Sequence, residues 1–342
     1  MSQTILDEIG FYTLSEQRAK TVTPSKFYHR CELIVTDRCN FNCPYCRGLN
    51  HMLRGDIDAI LAYETLEHWA SQSVRNVRFS GGEPTLHPRL IDFVSFCKKS
   101  GVKRIAISTN GSADLDLYKK LISAGVNDVS ISLDACCAST GDIMSGKIGY
   151  YDKIINTIQE LSKLTYVTIG IVINELNIKE TKDIINTAIS LGVSDIRIIP
   201  SAQHGNCLQD IQVDQDIISK YSILKYRINN SREGRVIRGL TRKDCPKCYL
   251  VWDDMAVCQG YHFPCIIYLR EGGKPIGNLV GDITRDLKGG VRRERYNWFK
   301  THNSLRDDIC KKNCLDVCAQ YNSRVDEYIR SGENHWNGVF YR

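Results

Sequence analysis

The chain has 342 residues, 42% of them hydrophobic and 25% charged, with a formal net charge of +6. That balance fits a globular protein of one or two domains with a sizeable core and excludes a disordered chain. The densest basic patches, Arg292-Arg293-Glu294-Arg295 and Lys311-Lys312, are short or interrupted, and read as solvated surface rather than a nucleic-acid footprint. No apolar run reaches the roughly 18 residues of a membrane span, and the first residues lack the basic-then-apolar order of a secretory signal. Fifteen cysteines in such a chain point to metal binding or redox chemistry in a reducing cytoplasm, not to a disulfide framework.

Residues 1–28 read as a polar arm packed on the main domain. Strands and helices then alternate. Strands are expected at 31–36, 76–79, 104–108, 128–133, 166–173 and 195–199. Helices are expected at 53–73, 88–100, 114–124, 151–164, 178–191 and 213–227, three of them closed by Gly101, Gly125 and Gly192. Six β-α units within 29–228 imply parallel strands covered by helices. The expected fold is therefore α/β, a partial (β/α)6 TIM-like barrel with ligands at the carboxyl ends of its strands. The alternation stops at about residue 228. A polar stretch, 229–244, reads as a linker, and 245–342 as a cysteine-rich C-terminal domain.

The loop after the first strand holds Cys39, Cys43 and Cys46 in the spacing C-x3-C-x2-C. Three thiolates are one short of what structural zinc or an ordinary iron–sulfur cluster takes. Such a loop suits a cluster with one iron left open for a small molecule. With Tyr45 as its aromatic residue, the loop resembles the signature of the radical SAM superfamily. That resemblance implies a [4Fe–4S] cluster on the three cysteines, with S-adenosylmethionine (SAM) on the fourth iron. Reductive cleavage of SAM then yields a 5′-deoxyadenosyl radical that abstracts a substrate hydrogen atom.

Three further loops follow strands in the order the family requires. Ser80-Gly81-Gly82-Glu83-Pro84 resembles its GGE motif, with Gly81 and Gly82 letting the backbone approach a ligand and Glu83 taking the SAM ammonium group. Ser108 and Asn110 end the third strand, and Ser132 and Asp134 the fourth, where short polar groups would meet the ribose or the methionine carboxylate. By the same resemblance, Val172 and Ile199 would contact adenine.

Downstream, Cys248-x11-Gly260-x4-Cys265 resembles the opening of the SPASM and twitch domains, which hold auxiliary [4Fe–4S] clusters. A β-hairpin between the first two ligands is expected from 249–256 and 266–269. Cys310 with Cys314 or Cys318 would complete one auxiliary cluster, and Cys245 could replace Cys248. The absence of any cysteine after Cys318 leaves a second auxiliary cluster open. The competing reading is a zinc site built on Cys245-x2-Cys248. Cys31 and Cys97 read as core thiols.

The resemblance leaves the substrate open. Twitch-type enzymes of this length oxidise small molecules such as amino sugars or cyclitols, and epimerisation is the second outcome. For epimerisation Cys136, Cys137 and Cys207, which follow strands, are candidate hydrogen-atom donors. Modification of a ribosomal peptide is the alternative, disfavoured by the short segment before the first strand. GTP cyclisation is disfavoured because the chain ends Phe340-Tyr341-Arg342 rather than Gly-Gly. A non-enzymatic iron–sulfur electron carrier would leave the strand-end motifs unexplained. The expected partners are a small-molecule or peptide substrate and an electron donor such as flavodoxin or ferredoxin.

Overall fold

The structure is a computed structural model that describes residues 11–26, 28–49, 52–203, 211, 213–279, 290–336 and 338. Six strands form the parallel part of its sheet: β1 (Arg30–Thr36), β2 (Asn76–Gly81), β3 (Arg104–Thr109), β4 (Asp128–Ser132), β5 (Tyr166–Ile173) and β6 (Asp195–Pro200). They pair in chain order with parallel register. Side chains alternate across a strand. One alternate set, including Leu33, Val77, Phe79, Ile107, Ile131 and Ile169, is buried under the covering helices. The other set is polar and bonds across the opposite face. There Ser80 donates to Glu32 at 2.6 Å, Arg78 to Ser108 at 2.9 Å, and Arg78 to Asp128 at 3.1 Å. The expected partial barrel is what the chain forms, and its polar face leads to the open strand ends.

Element boundaries moved for local reasons. The first barrel helix begins at Ala59, not at 53, because the Asp58 carboxylate caps it by accepting from the Ile60 and Leu61 amides. A helix at Ala138–Ser145 was not anticipated, since its residues are small and polar with little amphipathic pattern. The last predicted barrel helix is split into Gln215–Lys220 and Ser222–Arg232. The second piece runs through the stretch read as the start of a linker. Its Arg227 and Asn230 are buried against Asp316, with Asn230 donating at 2.7 Å.

The C-terminal hairpin continues the barrel sheet. β7 (Asp254–Cys258) runs parallel to β1, and β8 (Tyr261–Phe263) and β9 (Gly277–Asn278) follow antiparallel. The hairpin lies between Cys248 and Cys265 as expected, but its strands share only 254–256 with the expected residues. Tyr249–Trp252 is a 3-10 turn and Ile266–Arg270 a helix. Gln259 and Gly260, at φ 52° and 76°, form the two-residue turn that sets the pairing.

One reading of surface is overturned. Arg295 is buried, donating from Nε to the Val251 carbonyl at 2.9 Å and from Nη1 to that of Phe263 at 3.0 Å. A guanidinium has five donors, so it can knit several carbonyls that no strand satisfies. The N-terminal arm, Tyr12–Leu14 and the helix Glu16–Thr21, packs on the C-terminal region, among Tyr249, Leu250, Trp252, Tyr321 and Val325. Asp253, fully buried, accepts from Arg18 Nε at 2.8 Å and from the Tyr321 hydroxyl.

Asp253→Asn leaves the Arg18 guanidinium without its counter-charge, at a cost of about 3 kcal/mol. The arm is then expected to open more often, and tryptic cleavage after Lys20 to accelerate roughly tenfold or more, as followed by peptide mapping. An unchanged cleavage rate would show that the apolar contacts alone hold the arm.

Candidate active site and second cysteine cluster

The carboxyl ends of the first strands and their loops enclose a cavity of about 470 Å³. Cys39, Cys43, Cys46, Tyr45, Gly81, Gly82, Ser108, Asn110, Ser132 and Asp134 all line it. Residues up to 95 positions apart in the chain, from Cys39 to Asp134, thus converge as the strand-end rule requires.

The cysteine loop is held at each step. Its approach is pinned by the Gly82 amide donating to the Thr36 carbonyl and the Glu83 amide to that of Arg38, each at 2.8 Å. A Cβ on Gly82 would lie 2.3 Å from the Arg38 oxygen and 2.5 Å from that of Asp37. The glycine therefore admits the cysteine loop's own backbone, where sequence reasoning had it admit a ligand. Asn110 donates to the Asn40 carboxamide at 2.9 Å, and Asn40 to Ser112 at 2.8 Å. The Asn42 amide donates to the Ser145 carbonyl at 2.8 Å. Gly146, at φ 62°, lets that helix end pass beneath Asn42, where a Cβ would sit 2.4 Å from the Asn42 oxygen. Asn40, Ser112 and Gly146 escaped sequence reasoning. Their only signal is an ordinary turn composition.

Glu83 is placed differently from Gly81 and Gly82. Its carboxylate is fully buried and off the cavity wall. It accepts from the Thr85 amide at 3.1 Å, the Thr85 hydroxyl at 2.6 Å, the Thr109 hydroxyl at 2.7 Å and the Asn110 amide at 2.6 Å. Four protein donors engage it, three at Oε1 and one at Oε2, so its carboxylate is largely committed to the protein. Burial pushes its pKa up, and these donors pull against that shift. It is the brace that joins the β2 and β3 strand ends.

Asp134 faces the cavity. It accepts from the Tyr45 hydroxyl and, at 2.6 Å, from the Val172 amide, while burial pushes its pKa up to about 6. Val172 thus contributes through its backbone. Neither it nor Ile199, its register neighbour on β6, is on the cavity wall. Arg197 was missed. It lines the cavity from β6, its Nε has no hydrogen-bond partner, and its Nη2 lies 3.0 Å from where a Cβ on Gly170 would be. The signal was a lone cation inside the apolar run Asp195–Pro200. Burial pulls its pKa down to about 10, with Arg78 and Arg30 adding to the effect.

The candidate hydrogen donors do not reach the wall. Cys136 and Cys137 are absent from the cavity lining, although Ala135 before them and Gly141 after them are on it. Cys136 donates to Glu180 at 3.3 Å, and Cys137 lies 3.2 Å from the Ser139 hydroxyl. Cys207 lies outside the described residues.

The downstream cysteines form a second group. Cys265 feels the charge of Cys248 and Cys318, Cys310 that of Cys248 and Cys265, and Cys314 that of Cys310 and Cys248. Cys314 and Cys318 share a hydrogen bond. Cys245 lines a surface hollow with Asp326 and Arg330 and packs on the same apolar cluster as Cys248, Cys265 and Cys318. The candidate ligands are Cys248, Cys265 and Cys310 with Cys314 and Cys318, and Cys245 lies beside them. Cys31 and Cys97 are buried core thiols.

Spacing tests what these groups can hold. A single zinc at about 2.3 Å from each thiolate draws its sulfurs to within about 4 Å of one another. Among the described residues, no three cysteines of either set have ligand atoms within 4.8 Å of one another. A four-iron cube holds its thiolates farther apart, so both sets fit iron–sulfur clusters better than one zinc ion. The two sets are also joined. Arg47, next to Cys46, pairs with Glu271 and donates to Asn313 at 3.2 Å. Arg270, five residues after Cys265, donates to the Gly81 carbonyl at 2.9 Å and lines the cavity.

Gly82→Ala must push the Asp37–Arg38 backbone away and with it the cysteine loop. The variant, reconstituted with iron and sulfide, is expected to carry about four irons fewer per chain than the parent, with the second cluster's absorption intact. Equal iron in both proteins would mean that the loop forms without this close approach.

Residues 33–188 match the sequence profile of the Radical SAM superfamily. Among curated proteins, a probable GTP 3′,8-cyclase of Saccharolobus solfataricus is 30% identical over 174 residues, 49% of this chain and 55% of that protein. One from Sulfurisphaera tokodaii is 28% identical over 200 residues, 56% and 62% of the two chains. The chain thus spans a little over half the length of the curated relatives it matches. Among solved structures, Streptococcus suis SuiB bound to precursor peptide SuiA aligns with a TM-score of 0.59 at 12% identity, over 90% of this chain and 79% of that one. Native anSMEcpe with bound AdoMet aligns at 0.53 and 14% identity, over 89% and 98%. These two show the shared fold, a partial barrel with a cysteine-rich C-terminal region. With the cysteine loop on the wall of a strand-end cavity and the profile match across it, residues 33–188 are a Radical SAM domain, which implies a [4Fe–4S] cluster and SAM as cofactors.

Proposed function

We propose that the protein is a radical SAM oxidoreductase that removes two electrons from a small hydroxylated substrate and passes the second to the C-terminal cluster. The observation that supports this most is the tie between the two cysteine sets through Arg47 and Arg270. A substrate at the cavity mouth would lie between them. When loaded, the Cys39–Cys43–Cys46 cluster and SAM supply a hydrogen-abstracting radical. The chain's own residues do the rest. The strand-end loops hold the cysteine loop rigid, Tyr45 and Asp134 form one wall, and Arg197 offers an uncommitted guanidinium to a carboxylate of SAM or of the substrate. For a carbinol, loss of the C–H hydrogen atom, the hydroxyl proton and one electron leaves a carbonyl. Cys248, Cys265 and Cys310 with Cys314 or Cys318 would hold the acceptor of that electron.

Epimerisation needs a thiol at the substrate, and Cys136 and Cys137 are off the wall. Peptide modification is kept as a second reading, because SuiB with its precursor peptide aligns over 90% of this chain. The GTP cyclase relatives add GTP to the substrates worth offering.

Anaerobic turnover of reconstituted, reduced protein with panels of amino sugars and cyclitols, ribosomal peptides and GTP separates these outcomes by product mass. The expected product is a sugar or cyclitol two hydrogens lighter, formed with 5′-deoxyadenosine. A cross-linked peptide, a cyclised nucleotide or a substrate epimer bearing solvent deuterium would each replace the proposal. In the Cys265→Ala, Cys310→Ala double variant, SAM cleavage is expected to persist while product formation falls at least tenfold. Arg197→Met is expected to raise the KM of SAM or of the substrate by roughly tenfold to a hundredfold. Unchanged values for both would remove Arg197 from the site.

A further inference from the structure

The vicinal pair Cys136–Cys137 has no place in the cavity, yet its surroundings are built. Both residues sit in the turn between β4 and the helix Ala138–Ser145. Facing them is Glu180, the last residue of the 3-10 turn Ile178–Glu180 after β5. The two thiols and the Glu180 carboxylate lie within 4.8 Å of one another, the span that the two cluster sets exceed. Glu180 Oε2 points at Cys136 Sγ at 3.3 Å, while its Oε1 accepts from the Thr140 hydroxyl at 2.6 Å. Thr140 therefore fixes the carboxylate with one oxygen aimed at the thiols. Cys137 Sγ lies 3.6 Å from the same Thr140 hydroxyl. The groups that act most on Cys136 are Glu180 and Cys137, both anions when charged.

Three potential anions held this close, at half-buried positions, are a donor set for one cation. Two sulfurs and one oxygen select a thiophilic divalent ion over magnesium or calcium. Three protein ligands leave a fourth position for water. We propose that Cys136, Cys137 and Glu180 bind one zinc-class divalent cation that ties the β4 loop to the β5 loop. The tie would matter to the cavity. The same two loops meet at Asn177, which donates to the Asp134 carbonyl at 2.9 Å and to the Val172 carbonyl at 2.8 Å. A metal there would brace Asp134 from behind while taking no part in radical chemistry. Thr140, bonded to Glu180, is a positioning residue for this site. The proposal is independent of the reaction proposed above.

The test uses protein with its iron–sulfur clusters already loaded, so that the cluster cysteines are occupied. Cobalt(II) is the probe, since thiolate ligation gives it a strong near-ultraviolet absorption. The expected result is one cobalt per chain beyond the iron content, displaced by zinc. Cys136→Ser and Cys137→Ser should lose that absorption. Glu180→Gln and Thr140→Val should weaken cobalt binding by roughly tenfold to a hundredfold. Iron content, measured on each variant, should match the parent and so report an intact fold. No cobalt uptake would overturn the site, as would uptake that all four variants leave unchanged, the mark of adventitious binding elsewhere. A Cys136–Cys137 disulfide in the anaerobically purified protein, found by peptide mapping, would overturn it too.

Discussion

The close approach of Gly82 to the Thr36–Arg38 backbone is the constraint on which the site rests. Two amide bonds of 2.8 Å cross that gap, and a single methyl group would close it. Beyond it the chain has no regular structure of its own. A run of loop from Asp37 to Arg47 would pay heavily in conformational entropy to hold three thiols in register. The protein offsets this by giving the loop a separate partner at nearly every second residue: the β2 end, Asn110 with Ser112, the Ser145–Gly146 helix end, and Asp134. The partners come from the ends of β2, β3 and β4 and from the helix that follows β4, so the loop is ordered only if the barrel is.

Beneath the loop, the polar face of the sheet is an ion network rather than an apolar core. Burial works against the charge on Arg30, but Asp254 and Glu32 outweigh that and its pKa rises. Glu32 shows the converse: burial works against its charge, yet Arg30, Arg78 and the Ser80 hydroxyl hold its pKa down. Such groups are costly to bury and tolerable only when paired. Arg197, which lacks a hydrogen-bonded partner at Nε, is the member of this face nearest the strand ends. Its unmet demand faces the cavity, which is where a ligand's anion would relieve it.

Strand existence was legible because apolar, β-branched runs alternate with helix stop signals, and the cysteine spacing announced the cluster loop. What stayed hidden depends on tertiary contact. Glu83 has the same letters whether it faces a ligand or four protein donors, and only the positions of Thr85, Thr109 and Asn110 decide. Arg295 sits in a charge run that composition assigns to solvent, yet three carbonyls from the C-terminal hairpin region claim it. The fourth-ligand question at the second cluster is of the same kind. Cys245 and Cys248 differ by three positions, and only the fold puts the first on a surface hollow.

The C-terminal region then has to be regarded as part of the barrel. β7 adds to the β1 edge, so the strand that launches the first cysteine loop is paired on its other side with a strand that lies between Cys248 and Cys265. The N-terminal arm closes the same junction from outside, through Arg18 and Asp253, whose own backbone carbonyl takes the His29 and Arg30 amides at the start of β1. A shift of the second cysteine set would have to drag β7, and with it β1 and the first loop. Electron transfer falls steeply with distance, and a shared strand is a direct way to hold two redox centres at a constant one. The fold therefore joins the two cysteine sets by covalent continuity and sheet hydrogen bonds rather than by a domain interface that could open.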